Sequence, residues 1–569
     1  MAEPSFEVLV IGGGPVGLSA GIELARAGVR TLVVERRSTL SRHPKANGVH
    51  PRTMELFRQW GVADAVQARS VLPERSRGFG WTTRIMGGIP LGELLFNDGT
   101  EQPDPASLPT PEWTTFTSQD IVESILHAAL TAWPEGRFEF DTRAEVVGQD
   151  ADGVTVALTT EEGRRTVRAA YVIAADGTRS PTRNSLGVTE TAIPVYGESV
   201  AIYFHSEALT RLTASSPYML TWIVNADLVG SIMTTGREDR WICNFERDPS
   251  LPDETYTEAF CAEQIRLAVG DPSLEFEILT TARWKHEAAV TDTWRVGRVL
   301  LAGDAVHRFP PHGGFGMNSG VQDAHNLVWK LVRVLRGDAG EGLLDTYEQE
   351  RKPVAQYNHD QVMINTRKME DTGWLSENRD EIAMIELPEG ESVRQGIRDA
   401  VPAQREQFWS SGQQFGYIYS STAVIDDGTE AEVSTVSDYR PTGHPGARAP
   451  HVWLKDEDGS RRSTVELATD GFVVLAGSKG RAWRDAAEAL GIRGWVIGED
   501  LVPESVDFEA RYGIESTGAV LVRPDGHIAL RARTGSDCAA ILSAALSHLS
   551  HYWTPDRTPG HVWSDNDRR

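Results

Sequence analysis

The sequence predicts an α/β fold in which a Gly-rich βαβ unit opens the chain, an antiparallel sheet is inserted into that α/β domain, and a separate small α/β domain follows. Three observations predict it. An unbroken apolar run near residue 10 stops at a cluster of glycines. Strand-like runs dominate from about 186 to 290. After Arg298 the pattern of buried strand followed by amphipathic helix returns.

Taken in order, Val8-Leu9-Val10-Ile11 has the continuous apolar character of a strand covered on both faces. Leu18, Ile22 and Ala25 then recur at helical spacing up to Gly28, a helix stop. Leu32-Val33-Val34 is the next buried strand, closed by Glu35. Residues 100–112 are rich in Pro, Asp and Ser and read as a surface loop. Runs at 199–205, 219–224, 228–234 and 241–245 build the inserted sheet. Val299-Leu300-Leu301-Ala302 resumes the α/β domain. The segment 370–434 is acidic and helical or irregular. In the C-terminal domain, strands are expected at 471–475 and 520–523, with Pro524-Asp525-Gly526 turning into 528–531. The expected boundaries are 1–185 and 291–405 for the two parts of the first domain, 186–290 for the sheet insert, 406–434 for a linker, 435–553 for the last domain and 554–569 for a polar, frayed tail.

Composition narrows the function. With 81 acids against 56 bases the formal net charge is −25, which argues against nucleic acid or an anionic membrane as partner. Three cysteines, Cys243, Cys261 and Cys538, lie far apart with no CxxC pair, so no disulfide framework and no metal site are expected. The N-terminus has no basic leader, and no apolar run is long enough to span a bilayer; a cytoplasmic location is expected.

Three motifs carry chemistry. Gly12-Gly13-Gly14-Pro15-Val16-Gly17 matches GxGxxG between a strand and a helix. In that context Gly12 permits the tight turn, Gly14 lets backbone approach a pyrophosphate and Gly17 lets helix and strand pack closely. The pyrophosphate sits on the helix N-terminus. Glu35, 18 residues after Gly17, is placed to bind ribose hydroxyls; the motif itself does not separate NAD from FAD. The second motif, Asp176-Gly177-Thr178-Arg179-Ser180-Pro181-Thr182-Arg183, reads either as a ligand loop or as an Asp-Gly turn with Ser180 capping a helix. The third joins Gly303-Asp304-Ala305-Val306-His307 to Pro310-Pro311-His312-Gly313-Gly314-Phe315-Gly316-Met317-Asn318. Asp304 ends a buried strand, where a carboxylate can bind a polyol chain. The glycines keep side chains away from a flat ligand, and the following helix points its positive end at it.

This order of motifs resembles the class A flavoprotein monooxygenases, single-component aromatic hydroxylases such as the phenol and 2,4-dichlorophenol hydroxylase-like group and the polyketide-tailoring hydroxylases. The resemblance extends to His43-Pro44-Lys45-Ala46, Arg52-Thr53-Met54-Glu55, Gln119, and Tyr347-Glu348-x-x-Arg351-x-Pro353. It implies a Rossmann-like FAD-binding domain, a p-hydroxybenzoate hydroxylase-like sheet insert and a C-terminal thioredoxin-like domain without a redox cysteine pair. It also implies bound FAD, NADH or NADPH as transient reductant, O2 as co-substrate, a small aromatic substrate, a homo-oligomer, and oxygen transfer through a flavin C4a-hydroperoxide. Carried onto this sequence, Gly12, Gly14, Pro15, Val16, Gly17, Glu35 and Arg36 would hold the ADP half of FAD. Lys45 and Ala46 would lie near the pyrophosphate, Gln119 near pyrophosphate or ribityl, and Asp176 and Gly177 near both nucleotides. Gly303 and Asp304 would bind ribityl, and Pro311, Gly314, Gly316, Met317 and Asn318 would line the isoalloxazine. Asn47 stands where some phenol hydroxylases place an Asp or His, so it can orient a hydroxyl but not deprotonate it; with Pro311 it is the candidate at the reacting centre. Trp222 is a candidate substrate contact. His50, His205 and Tyr218 are candidate bases by residue type alone. A halogenase would carry a WxWxIP motif, which 81–85 does not match. A Baeyer–Villiger-type oxygenase and a non-catalytic flavin-binding protein are the rival readings.

Overall fold

The fully buried Val8, Leu9 and Val10 explain the unbroken apolar run: their strand has a parallel neighbour on each side and cover on both faces. The computed structural model describes residues 6–71, 76–96, 108–193, 197–235, 239–248, 250–374 and 379–550. The expected loop over 100–107 and tail over 554–569 lie outside them. The chain divides into two units.

The first comprises Met1–Gln102, Glu112–His325 and Lys352–Ser410. Its parallel strands run in the order Val299–Leu301, Gly163–Ala174, Phe6–Ile11, Thr31–Val34 and Gly136–Glu139. The helix Pro15–Arg26 links the first two strands in sequence.

A seven-stranded sheet lies in the same unit, in the order Glu277–Lys285, Glu198–His205, Arg240–Glu246, Val229–Thr234, Leu220–Val224, Gly78–Thr82 and Pro90–Leu95. The last two strands precede the insert in sequence, and Gly78–Thr82 joins parallel to Leu220–Val224. One face is sealed by the helix Glu258–Val269: Val200, Ile202, Ile223, Ile232 and Cys243 pack with Cys261, Ile265 and Val269. Because side chains alternate along a strand, Ala201, Trp222, Ser231 and Asn244 point to the other, inner face.

The second unit comprises Pro103–Pro111, Asn326–Arg351 and Ser411–Arg569. Its four-stranded sheet runs Arg493–Val496, Val473–Ala476, Ala519–Val522, Ile528–Ala532. Trp329 and Leu343 pack with Phe472, Val474 and Trp483 in its core. Four charges are buried together: Lys330 Nζ lies 2.7 Å from Glu350, Arg523 binds Glu350 through both nitrogens at 2.6 and 2.8 Å, and Arg523 also pairs with Asp525. Burial pulls the Lys330 ammonium down to about 8. Among the described residues, no helix is long and apolar enough to cross a membrane.

Candidate active site

The glycines of the first loop divide by what surrounds them. A Cβ on Gly12, whose φ is +113°, would lie 2.2 Å from the Ala175 carbonyl oxygen, and one on Gly17 would lie 1.9 Å from the Gly12 oxygen. Both are glycine for the protein's own packing. A Cβ on Gly14 meets nothing within 4 Å; Gly14 is the helix N-cap, with Pro15 beginning the first turn. Open space here, at a helix start with N–H groups to spare, suits a pyrophosphate. Glu35 is buried, accepting from Gly13 N at 2.9 Å and Arg37 N at 3.0 Å. Arg36 is exposed.

The third motif packs directly against the first. A Cβ on Gly303 would lie 2.8 Å, and one on Gly320 2.5 Å, from Val16 Cγ2. Asp304 stands half-buried in a short 3-10 turn, and its carboxylate accepts no hydrogen bond from the described residues. His307 Nε2 meets Asp323 Oδ2 at 2.6 Å, fully buried, and ties the turn to the helix Phe315–Leu335. Pro311 is exposed, Gly316 faces open space and Met317 is buried.

The segment 43–50 connects this loop to the inner face of the large sheet. Gln119 N donates to Ala46 O at 2.8 Å, while the Gln119 amide donates to Glu123; Lys45 is exposed. His43 Nδ1 meets Thr280 Oγ1 at 2.8 Å. Asn47 Nδ2 donates to Thr234 O at 2.6 Å, leaving its Oδ1 buried without a hydrogen-bond partner. Asn318, fully buried, uses its whole amide as a clasp: Oδ1 accepts from His50 N at 2.9 Å, and Nδ2 donates to Gly48 O at 3.1 Å and Gly314 O at 2.7 Å. Its contribution is therefore to hold two loops together. His50 Nε2 meets Gly313 O at 2.8 Å, so Nε2 carries the proton and Nδ1 is a bare acceptor, buried without a partner. Burial holds His50 down at about 4, so the ring is neutral at ordinary pH.

The other candidates divide. Asp176 spends both oxygens inside its turn, accepting from Ser180 Oγ at 2.5 Å and Thr182 N at 3.0 Å, and Ser180 caps the following helix. Gly177 continues that turn with open space beside it. Trp222 lies on the inner face, stacked on Trp81 at 4.3 Å and edge-on to Phe408. Tyr218 Oη donates to Glu93 at 2.5 Å, and burial with that carboxylate pushes its hydroxyl up to about 12, unfit for a base. His205 clusters with Glu207 and Asp239 at the end of its strand. The sequence reading missed Trp81 and the Asn318 clasp. The alternation of the 78–82 run (Phe79, Trp81 against glycines) was the one signal available for Trp81.

Comparison with known proteins bears on this geometry. A family described as FAD binding domain matches residues 5–362, and one described as aromatic-ring hydroxylase, C-terminal, matches 442–550. The chain is 35% identical to the tetracenomycin A2 monooxygenase-dioxygenase of Streptomyces glaucescens, over 96% of this chain and 97% of that one. It is 33% identical to the 4-methyl-5-nitrocatechol 5-monooxygenase of a Burkholderia species, over 95% and 97%. It superposes with a TM-score of 0.81 and 33% identity on aklavinone-11 hydroxylase solved with FAD and aklavinone, over 97% of this chain and all of that one. The open space at Gly14, the Asp304 carboxylate with no hydrogen bond from the described residues and the buried Glu35 at the strand end fit FAD.

Proposed function

Because the chain belongs to the class A FAD-dependent aromatic hydroxylases, we propose that it adds one oxygen atom from O2 to a phenolic ring held between the Gly313–Asn318 loop and the inner face of the large sheet, with NADH or NADPH as reductant. The observation that carries this placement is Asn47 Oδ1, a buried acceptor left open where the flavin loop, the 43–50 segment and the sheet converge. An unmet buried acceptor costs about 1–3 kcal/mol; a substrate hydroxyl donating to it removes that cost.

Gly12, Gly14, Pro15, Val16, Gly17, Glu35 and Arg36 would hold the ADP half of FAD, Lys45, Ala46 and Gln119 its middle, and Gly303 and Asp304 its ribityl chain. Pro311, Gly314, Gly316 and Met317 would hold its ring system. Asp176 and Gly177 shape the nucleotide cleft through their turn. Bound FAD, once reduced, supplies the O2-activating chemistry at its C4a position. The protein's own part is placement: Asn47 orients the hydroxyl and takes no proton, and neutral His50 holds Gly313. The positive end of the helix Phe315–Leu335 favours negative charge above the loop. The test is NADH and NADPH oxidation by the FAD-loaded enzyme across a panel of phenols, with product structures determined. Oxidation stimulated by a phenol and a ring-hydroxylated product are expected. Oxidation that no aromatic stimulates overturns the reading, and a lactone product moves it to ring-oxygen insertion.

A further inference from the structure

The inner face of the large sheet carries an arginine whose buried nitrogen meets no acceptor. Along the strand Arg240–Glu246, Trp241, Cys243 and Phe245 pack into the helix-sealed core, while Ile242 packs on the inner face with Ala201 and Tyr203. Side chains alternate along a strand, so Arg240 belongs to the inner row. It is half-buried, and its Nη1 is buried without a hydrogen-bond partner among the described residues. The nearby acids Glu207 and Asp239 gather around His205, its cross-strand neighbour. A guanidinium stays charged at every pH the protein meets. A cationic nitrogen buried without an acceptor is costly, and an anionic oxygen beside it removes the cost.

The segment 43–47 fixes where this charge lies. His43 is held on Thr280 and Asn47 on the Thr234 carbonyl. The strands that carry those two residues are first and fourth in the sheet. Three strand spacings are about 14 Å, and four extended residues reach about the same distance. The segment is too short for a detour and passes over the two strands between. Register puts Trp241 opposite Thr234, so on the third strand the crossing falls between Ile242 and Arg240. Arg240 therefore lies one strand, about 5 Å, from the point where Asn47 is anchored.

We infer that Arg240 activates the substrate electrostatically: its guanidinium favours loss of the proton from the hydroxyl that Asn47 orients, so the ionised phenol forms without a protein base. The inference rests on the placement of the phenol at Asn47 proposed above. The O–H bond breaks, its electron pair stays on the oxygen beside the guanidinium, and the proton leaves to water. Two effects oppose each other. A hydrogen bond from the neutral hydroxyl to Asn47 Oδ1 resists ionisation by about one decade at most. A cation about 5 Å away, at an effective dielectric of about 20, favours the oxyanion by roughly two decades. The charge wins, and a net gain of about tenfold in the ionisation constant remains.

The experiment uses FAD-loaded full-length enzyme and 4-nitrophenol, whose ionised form absorbs in the visible. Binding is read from the perturbation of flavin absorption, and the bound probe is titrated across pH by difference spectrum. FAD affinity is titrated for every variant. In the wild type the bound probe is expected to ionise about tenfold more readily than the free probe, with its midpoint about one pH unit lower. Arg240→Met is expected to erase that shift. Arg240→Lys, which keeps the charge and loses the fork, is expected to restore most of it, a rescue that a purely structural arginine does not give. Should Arg240→Met fail to fold, Arg240→Gln, neutral and polar, is read in its place. If the probe binds the wild type but ionises no more readily than in water, or if the shift survives in the neutral variant, the electrostatic role is overturned and the reaction-site reading stands. A neutral variant that loses FAD affinity while its remaining holoenzyme keeps the shift assigns the charge to the cofactor, which also overturns the inference. If neither 4-nitrophenol nor any other phenol perturbs the flavin or stimulates NAD(P)H oxidation, both fall.

Discussion

Asn47 donates to a backbone carbonyl at 2.6 Å, and this limits what the position tolerates. From sequence alone, Asn47→Asp looks like the restoration of a base. In the structure a carboxylate would face the Thr234 oxygen, acceptor against acceptor, and that contact favours the protonated acid. The variant should therefore bind phenols worse than wild type at pH 8 and recover as pH falls and the acid donates to Thr234. KM measured across pH checks this; an Asn47→Asp enzyme faster than wild type at alkaline pH would show that the side chain has turned to the substrate. The buried histidines set a second pH dependence. Burial holds His43, His50 and His286 at about 4 and His312 at about 3, whereas unfolded histidine titrates near 6.5. With folded values depressed, their contribution to stability is complete above about 6.5 and is lost as pH falls toward 4, because the unfolded chain binds up to four more protons. Tm should fall steeply through that window. His50→Gln keeps an N–H for Gly313 and should flatten the slope by about one proton.

The contact between the two cofactor loops is made by elements, and it is testable as such. Gly320 on the helix Phe315–Leu335 and Gly303 before it both accept Val16 from the helix Pro15–Arg26. Gly320→Ala would push a methyl to 2.5 Å from Val16 Cγ2; overpacking of this kind costs about 1–3 kcal/mol. FAD affinity and Tm should both drop, and Val16→Ala in the same chain should restore most of the loss. A double-mutant cycle showing simple additivity would mean that the loops do not meet through this contact. Elements like these were legible in the sequence because their signals are local: an apolar run before glycines, helical spacing up to Gly28, an acid at the end of the second strand. The Asn318 clasp was not legible, since its partners His50 and Gly48 lie 268 and 270 residues away. Gly78–Thr82 escaped because glycines at 78 and 80 replace the outward half of its alternation.

At the scale of the whole molecule, the second unit depends on two segments far apart in sequence. Lys330 and Glu350 come from one, Arg523 and Asp525 from the other, and all four are buried. Sequence alone suggests that a chain ending near Ser434 still binds FAD if it folds. That cut strips Glu350 of Arg523 and uncovers Trp329 and Leu343, so the truncated chain is expected to fold poorly. In the full chain, Arg523→Ala should cost about 3–5 kcal/mol, since it leaves buried carboxylates uncompensated. Arg523→Met with Glu350→Gln and Asp525→Asn should recover much of that in thermal unfolding. The Asn318 clasp has one more consequence, for the order of events during synthesis. The loop at 48–50 leaves the ribosome long before Asn318, and at about 5–20 residues per second the gap lasts roughly 13–54 s. Through that interval the N-terminal βαβ unit can form around its own short-range contacts, while the loop at 48–50, which we propose borders the flavin, has nothing to close against. FAD capture is thus expected to be late: ribosome-bound chains halted before Asn318 should retain far less flavin than chains halted after the whole domain has emerged.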